Sequence, residues 1–302
     1  MSRKRRGSYP LWTDVPYAGE SHPPRNAVTP YAGSWKTYFI ERSERGGFET
    51  LDGRPIELEI VKPDRIDWYE ELKLVQRVAD RLTEEDKLKA VYWGSGPPSK
   101  QWVPIVDALI DTYGVEPPRA ARILGALFSG LNDALVVTWY LKYKWLVPRP
   151  NQLDREFATV ICTPNFPAYP SGHAAVSGAA EVILSYFFPS ERRRLRELAE
   201  EDAESRLLGG VHFKVDNDQG LRLGRQIGRL VVEQLEKDLD SEGLPVDVHY
   251  REFRNAKLIP PPYEQGIPFD FEQQCGSLLR SDVQQERKRK RDDKGPKPKL
   301  FF

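Results

Sequence analysis

The 302-residue sequence predicts an all-α helical bundle with a small β-hairpin near its N-terminus. Three observations carry that expectation. From Pro63 to about residue 240, apolar residues recur at the three- and four-residue spacing of a helix face. Within that stretch, residues 119–145 are apolar on most faces (Ile123, Leu127, Leu131, Leu135, Val136, Trp139), which marks a central helix of roughly 40 Å. Gly220, Gly224 and Gly228 then fall four residues apart in a helical segment. Glycine there costs about 1 kcal/mol relative to alanine, so three on one face imply a close helix crossing, with the small residues that follow His173 as the natural partner.

Taken in order, residues 1–33 are rich in Pro, Gly and polar residues and form an arm, either extended on the domain or disordered. Two strand-like runs, residues 35–40 and 56–60, flank the turn signal Asp52-Gly53 and make a short hairpin within residues 34–62. The helical bundle is expected over residues 63–240. A first helix carries Trp68, Leu72, Val75, Ala79 and Leu82, and Thr83 caps a second that runs to Trp93. A third spans residues 100–113 and is closed by Gly114. After the central helix, another opens at Pro170 and stops at Pro189, Ser190 caps the next, and Gly209-Gly210 breaks it. The last helix covers residues 217–239. Residues 241–286 read as an irregular segment wrapping the bundle, and 287–302 as a basic disordered tail.

The formal net charge is zero, but Arg3 to Arg6 and the lysines and arginines beyond Glu286 are basic, so the body between them is acidic. A cationic pocket inside that body would be a local feature. The tails read first as disordered solvated ends, and contact with nucleic acid or a membrane surface is the weaker reading. The two cysteines, Cys162 and Cys275, read as packing residues of a protein in a reducing compartment, the cytoplasm. No signal-peptide apolar core follows the first basic cluster, and the best apolar run, residues 134–141, is bracketed by Asp133 and Lys142, so no membrane span is expected.

Three stretches concentrate anion-binding residues. Lys142 and Arg149 are seven apart, nearly two helical turns, which brings them toward one face; basic residues favouring the dipole of a helix end would look the same. In Pro170-Ser171-Gly172-His173, a helix mouth offers backbone N–H groups, a hydroxyl, an approachable glycine and a proton carrier, although a turn and a cap would also read this way. In the third stretch, Gly209-Gly210 lets Arg206 and His212 converge, and Asp216 can orient the imidazole or cap the last helix. Only four histidines are present; His22 and His249 lie in the extensions and read as surface residues.

Together and in this order, Lys-x6-Arg-Pro, Pro-Ser-Gly-His and Ser-Arg-x5-His-x3-Asp resemble the superfamily of vanadium-dependent haloperoxidases and type 2 phosphatidic acid or bacterial acid phosphatases, over roughly residues 68–238. Asp133-Ala134, Trp139 and Lys142 in one helix, the Phe166-Pro167-Ala168-Tyr169 lead-in and Gly209 to Phe213 look like the haloperoxidase branch. The resemblance implies the helical fold of that superfamily and assigns Lys142, Arg149, Ser171, Gly172 and Arg206 to the oxyanion. It gives Phe166 to the halide, His173 to proton transfer and Asp216 to holding His212. His212 would bond vanadium directly, as the axial ligand of a vanadate cofactor, while hydrogen peroxide oxidises halide. In the alternative, a soluble acid phosphatase without vanadate, His212 forms a phosphohistidine from a phosphate ester. A homo-oligomer is compatible with either.

Overall fold

The computed structural model describes residues 9–266 and 275–276. These described residues form eight α-helices beside a three-stranded antiparallel sheet. The helices are α1 (Trp68–Ala79), α2 (Glu84–Gly94), α3 (Trp102–Tyr113), α4 (Pro117–Trp145), α5 (Pro150–Leu153), α6 (Gly172–Phe187), α7 (Arg192–Leu208) and α8 (Lys214–Leu235). Local chemistry sets most of the boundaries. Thr83 and Asp86 form a reciprocal capping box that opens α2, and Gly114 closes α3 in the left-handed conformation. Ser190 does not cap α7: a 3-10 turn, Pro189–Glu191, precedes that helix, and the Ser190 hydroxyl pairs instead with Tyr113 and with the Tyr250 carbonyl. α8 opens three residues earlier than the apolar period suggests, because the Asp216 carboxylate accepts the Phe213 N–H and anchors a turn there.

The hairpin becomes a sheet, β1 (Ile40–Arg42), β2 (Phe48–Thr50) and β3 (Pro55–Ile56), in register Ile40↔Thr50 and Phe48↔Ile56. The two strand-like sequence runs lie mostly outside it because side chains claim their amides. The Tyr38 and Phe39 N–H groups donate to the buried Asp133 carboxylate of α4, and those of Glu59 and Val61 donate to Gln226 and Gln219 of α8. The arm lies on the domain. Trp12, Tyr17 and Ala18 are buried, and the Ala18 and Val28 N–H groups donate to the carbonyls of Asn151 and Asn165. Residues 241–266 wrap the bundle irregularly, with His249 half-buried against Tyr186, its Nδ1 on the Tyr186 carbonyl, rather than free at the surface. The basic cluster Arg3 to Arg6 and the tail 287–302 lie outside the described residues.

One further expectation is corrected. Cys162 and Cys275 are joined by a disulfide that ties the loop before α6 to the C-terminal segment, so neither is a free packing residue and the argument for a reducing compartment lapses. Among the described residues, one segment, Pro117–Leu153, which takes in α4 and α5, is long and apolar enough to cross a membrane by length and composition, a test that a buried core helix also passes. Half of that window is buried in the bundle, where α4 packs against α6 and α8.

The layer that positions the site is α6 on α8. A Cβ on Gly224 would run into the Ala175 carbonyl closer than any real side chain approaches, and one on Gly220 would lie 2.7 Å from the Ser171 carbonyl. Contact at that range draws the two helix mouths together, and the Ser171 N–H donates to the Asp216 carbonyl at 3.0 Å. Beneath them Trp68 is wedged edge-on between Tyr169 and Phe213, at 5.6 and 5.2 Å between centroids. The contrast with α4 is testable by chemical denaturation. Gly224→Ala should destabilise by about 1–3 kcal/mol through overpacking, whereas Gly125→Ala, which meets nothing within 4 Å, should stabilise by up to about 1 kcal/mol.

Candidate active site

The three motif stretches converge on one buried, cationic cage. Lys142 comes from the last turn of α4, and Leu146, in the left-handed conformation, ends that helix so that the chain returns through Arg149. The Arg149 N–H donates to the Gln152 side chain, whose amide group donates in turn to the Trp12 carbonyl. Ser171 caps α6, and Gly172 turns its open face toward Trp139 and Lys142, at 3.4 and 4.0 Å from where a Cβ would stand. Arg206 comes from the last turn of α7, and Gly210, at φ +73°, makes the reversal that brings His212 back.

Lys142 and Arg149 are fully buried and Arg206 is 2% exposed. Lys142 donates to the carbonyls of Pro167 and Ala168 at 2.8 and 2.6 Å; Arg149 donates to those of Phe166 and Val211. Carbonyls solvate these cations without neutralising them. Among the described residues, Arg149 Nη2 and Arg206 Nε and Nη1 are buried without a hydrogen-bond partner. Unpaired buried guanidinium donors are costly, and a multivalent oxyanion is the ligand that satisfies them. Burial, and then Arg149, hold the Lys142 pKa well below its ordinary value; burial lowers both arginines to about 10.

His212 Nδ1 lies 2.8 Å from Asp216 Oδ2, and its Nε2 lies 2.9 Å from Arg149 Nη1. An arginine can only donate, so Nε2 carries the lone pair and Nδ1 the proton. Burial first, and then Arg149, Lys142 and Arg206, hold the His212 pKa well below 6.5, so the ring is neutral. Burial raises the Asp216 carboxyl to about 7 against the pull of Lys142. His173 is partly exposed, and its Nε2 meets the Trp93 carbonyl at 3.2 Å. Desolvation and then Arg206 keep its pKa well below 6.5 as well.

Phe166 stands where the two nearest cations meet, with Lys142 Nζ 5.1 Å and Arg149 Cζ 4.9 Å from its centroid and Trp139 at 4.8 Å. The site also uses groups that no motif marks. Trp93 supplies its carbonyl, and Gly94 leaves room for Arg206, whose Nη1 is 3.0 Å from where a Cβ would stand. Asp202 is buried one turn before Arg206 and lowers the cost of that charge. Gln152 had a readable signal, its three-residue spacing from the motif arginine; a backbone carbonyl such as that of Trp93 has none.

Among the described residues no group of three or more His, Cys, Asp or Glu side chains could hold a metal cation. The donor set is that of an anion site, and it fits vanadate or phosphate through Lys142, Arg149 and Arg206 with one histidine nitrogen. Such binding should weaken as pH rises. Lys142 loses its proton at a pH below the ordinary 10.5, and the charge needed for the anion goes with it. Calorimetric titration with inorganic phosphate between pH 6 and 10 should show the dissociation constant climbing over the alkaline half of that range, and Lys142→Met should flatten the climb.

Residues 122–239 match the PAP2 superfamily. The fold is similar to that of a bacterial vanadium-dependent iodoperoxidase, at 23% identity and a TM-score of 0.57, covering 76% of this chain and 63% of that one. It is also similar to an apo-form bacterial vanadium-dependent chloroperoxidase, at 16% identity and a TM-score of 0.54, covering 73% of this chain and 60% of the other. The chain therefore spans about three-fifths of the length of these two proteins. No curated protein sequence matches it significantly. The matched stretch, residues 122–239, carries all the motif residues gathered in the cage, from Lys142 to Asp216, and is the part of the chain that resembles the PAP2 superfamily.

Proposed function

We propose that this protein is a vanadium-dependent haloperoxidase, oxidising halide with hydrogen peroxide at a vanadate held by His212. The observation that carries the reading is the aromatic wall of the cage. Phe166, backed by Trp139, covers the two cations Lys142 and Arg149 on one side. A wall of this kind strips water from a small, weakly hydrated anion beside fixed positive charge, which suits a halide better than the polar leaving group of a phosphate ester. Folds similar to this one include those of two bacterial vanadium-dependent haloperoxidases.

The residues divide the work by their hydrogen bonds. His212 offers Nε2 as the direct ligand, with Asp216 holding the proton on Nδ1. Arg149 Nη1 covers that lone pair and must yield it to the ligand. Lys142, Arg149 and Arg206 balance the charge of the oxyanion, with the Ser171 hydroxyl and Gly172 N–H at the helix mouth. Vanadate, when bound, supplies Lewis-acid activation of the peroxide. The net reaction joins halide to one peroxide oxygen as the O–O bond breaks and consumes one proton, giving hypohalous acid and water. His173 Nδ1, the nitrogen not engaged by Trp93, takes protons from incoming peroxide and returns one to the product.

The neutral, Asp216-oriented His212 is also a competent nucleophile toward phosphorus, which supports phosphomonoester hydrolysis as the second reading. The two are separated by assaying purified protein for peroxide-dependent bromination with added vanadate and for p-nitrophenyl phosphate hydrolysis without it, across pH 5–8. Bromination should dominate. Phe166→Ala should lower bromination about tenfold, equivalent to ~1.4 kcal/mol, with little change in vanadate affinity. Rapid phosphate release with undetectable bromination would replace the peroxidase reading with the phosphatase one.

A further inference from the structure

We propose that Glu201 is a positioning residue for His173, acting through Trp93 and clamped by Tyr263 of the C-terminal wrap. The inference rests on the reading of His173 as the proton carrier. Trp93 is the penultimate residue of α2, so its carbonyl has no intrahelical partner and is free to accept from outside the helix. It accepts from His173 Nε2 at 3.2 Å. A carbonyl cannot donate, so this contact fixes neutral His173 as the Nε2–H tautomer and leaves the lone pair on Nδ1.

The indole of the same Trp93 is tied on its other side. Its Nε1 donates to Glu201 Oε1 at 3.0 Å, while Glu201 Oε2 accepts from the Tyr263 hydroxyl at 3.2 Å. Both carboxylate oxygens are thus committed, one to the end of α2 and one to the wrap. The wrap grips the preceding residue too, with Gln265 donating to the Tyr92 carbonyl at 3.1 Å and the Tyr263 ring 5.9 Å from that of Tyr92.

A parallel bridge runs one step further along. Trp102 Nε1 donates to the Ser177 hydroxyl, which donates to Asp202. His173 and Ser177 are one turn apart on α6, Glu201 and Asp202 are adjacent on α7, and the two tryptophan rings lie against each other at 6.4 Å. Trp102 therefore blocks sliding of Trp93, and Glu201 sets its remaining rotation.

The test reads the tautomer directly. In protein labelled with 15N-histidine, the His173 ring should show the Nε2–H tautomer. Glu201→Ala should turn it into a mixture and lower turnover about tenfold, with vanadate affinity within about twofold of the original; a positioning loss of this size is a fraction of a general acid-base contribution. Glu201→Gln should restore both, since its amide oxygen can accept from Trp93 and its amide group can donate to Tyr263. If Glu201→Ala does not fold, Tyr263→Phe, which removes one hydroxyl from the wrap, carries the same test with a smaller shift toward the mixture. The proposal is overturned if Glu201→Ala, or Tyr263→Phe in its place, keeps a pure Nε2–H tautomer and full turnover, or if Glu201→Gln is as damaged as Glu201→Ala. An inactive wild-type protein that still shows the tautomer response would sink the peroxidase reading and leave this one standing.

Discussion

Three buried cations, Lys142, Arg149 and Arg206, share a space whose buried acids are Asp202 and Asp216. Like charges brought together out of water are expensive, and the surrounding structure can be read as the means of tolerating them. The loop before α6 turns the carbonyls of Phe166, Pro167 and Ala168 inward, where they accept from Arg149 and Lys142. The Val211 carbonyl does the same from the Gly210 reversal. What remains, the unpaired N–H groups of Arg149 and Arg206, is directional and positively charged. That remainder is the binding energy available to an oxyanion, stored in the fold before the ligand arrives.

Close packing holds this arrangement. The glycines of α8 let the helix mouths of α6 and α8 approach until Ser171 bonds the Asp216 carbonyl, which puts His212, Asp216 and the Ser171-Gly172-His173 turn in one volume. The arm, the disulfide and the C-terminal wrap close around it. Gln152 connects Arg149 to the arm, Cys162 connects the neighbouring loop to Cys275, and Tyr263 reaches the α2 terminus through Glu201. Segments at both ends of the chain are thereby coupled to the cage that the central residues build.

Much of this was legible in the sequence. The helical period, the Thr83 capping box, the αL stop at Gly114 and the spaced glycines of α8 are local signals, and each has its counterpart in the structure. The three motif stretches were legible as a set of basic, hydroxyl and imidazole groups for the same reason, since residue type and spacing carried the information, and the structure brings them together. Long-range satisfaction of backbone groups was not legible. The run around Trp35 to Ile40 looks like a strand, but the Asp133 carboxylate takes its amides; the cysteines, 113 residues apart, meet only through the path of the wrap. Trp93 contributes to the site by a carbonyl that every residue has, so only the fold could reveal it.

The claim on which the account depends is that His212 Nε2 is the atom the anion bonds, with the three cations around it. Diffraction from crystals soaked in orthovanadate, using the anomalous signal of vanadium, tests this directly. The account predicts a vanadium atom bonded to His212 Nε2, with Arg149 Nη1 drawn off that nitrogen onto a vanadate oxygen. Vanadium bonded to His173, or bound outside the cage while Arg149 still covers His212, would contradict it.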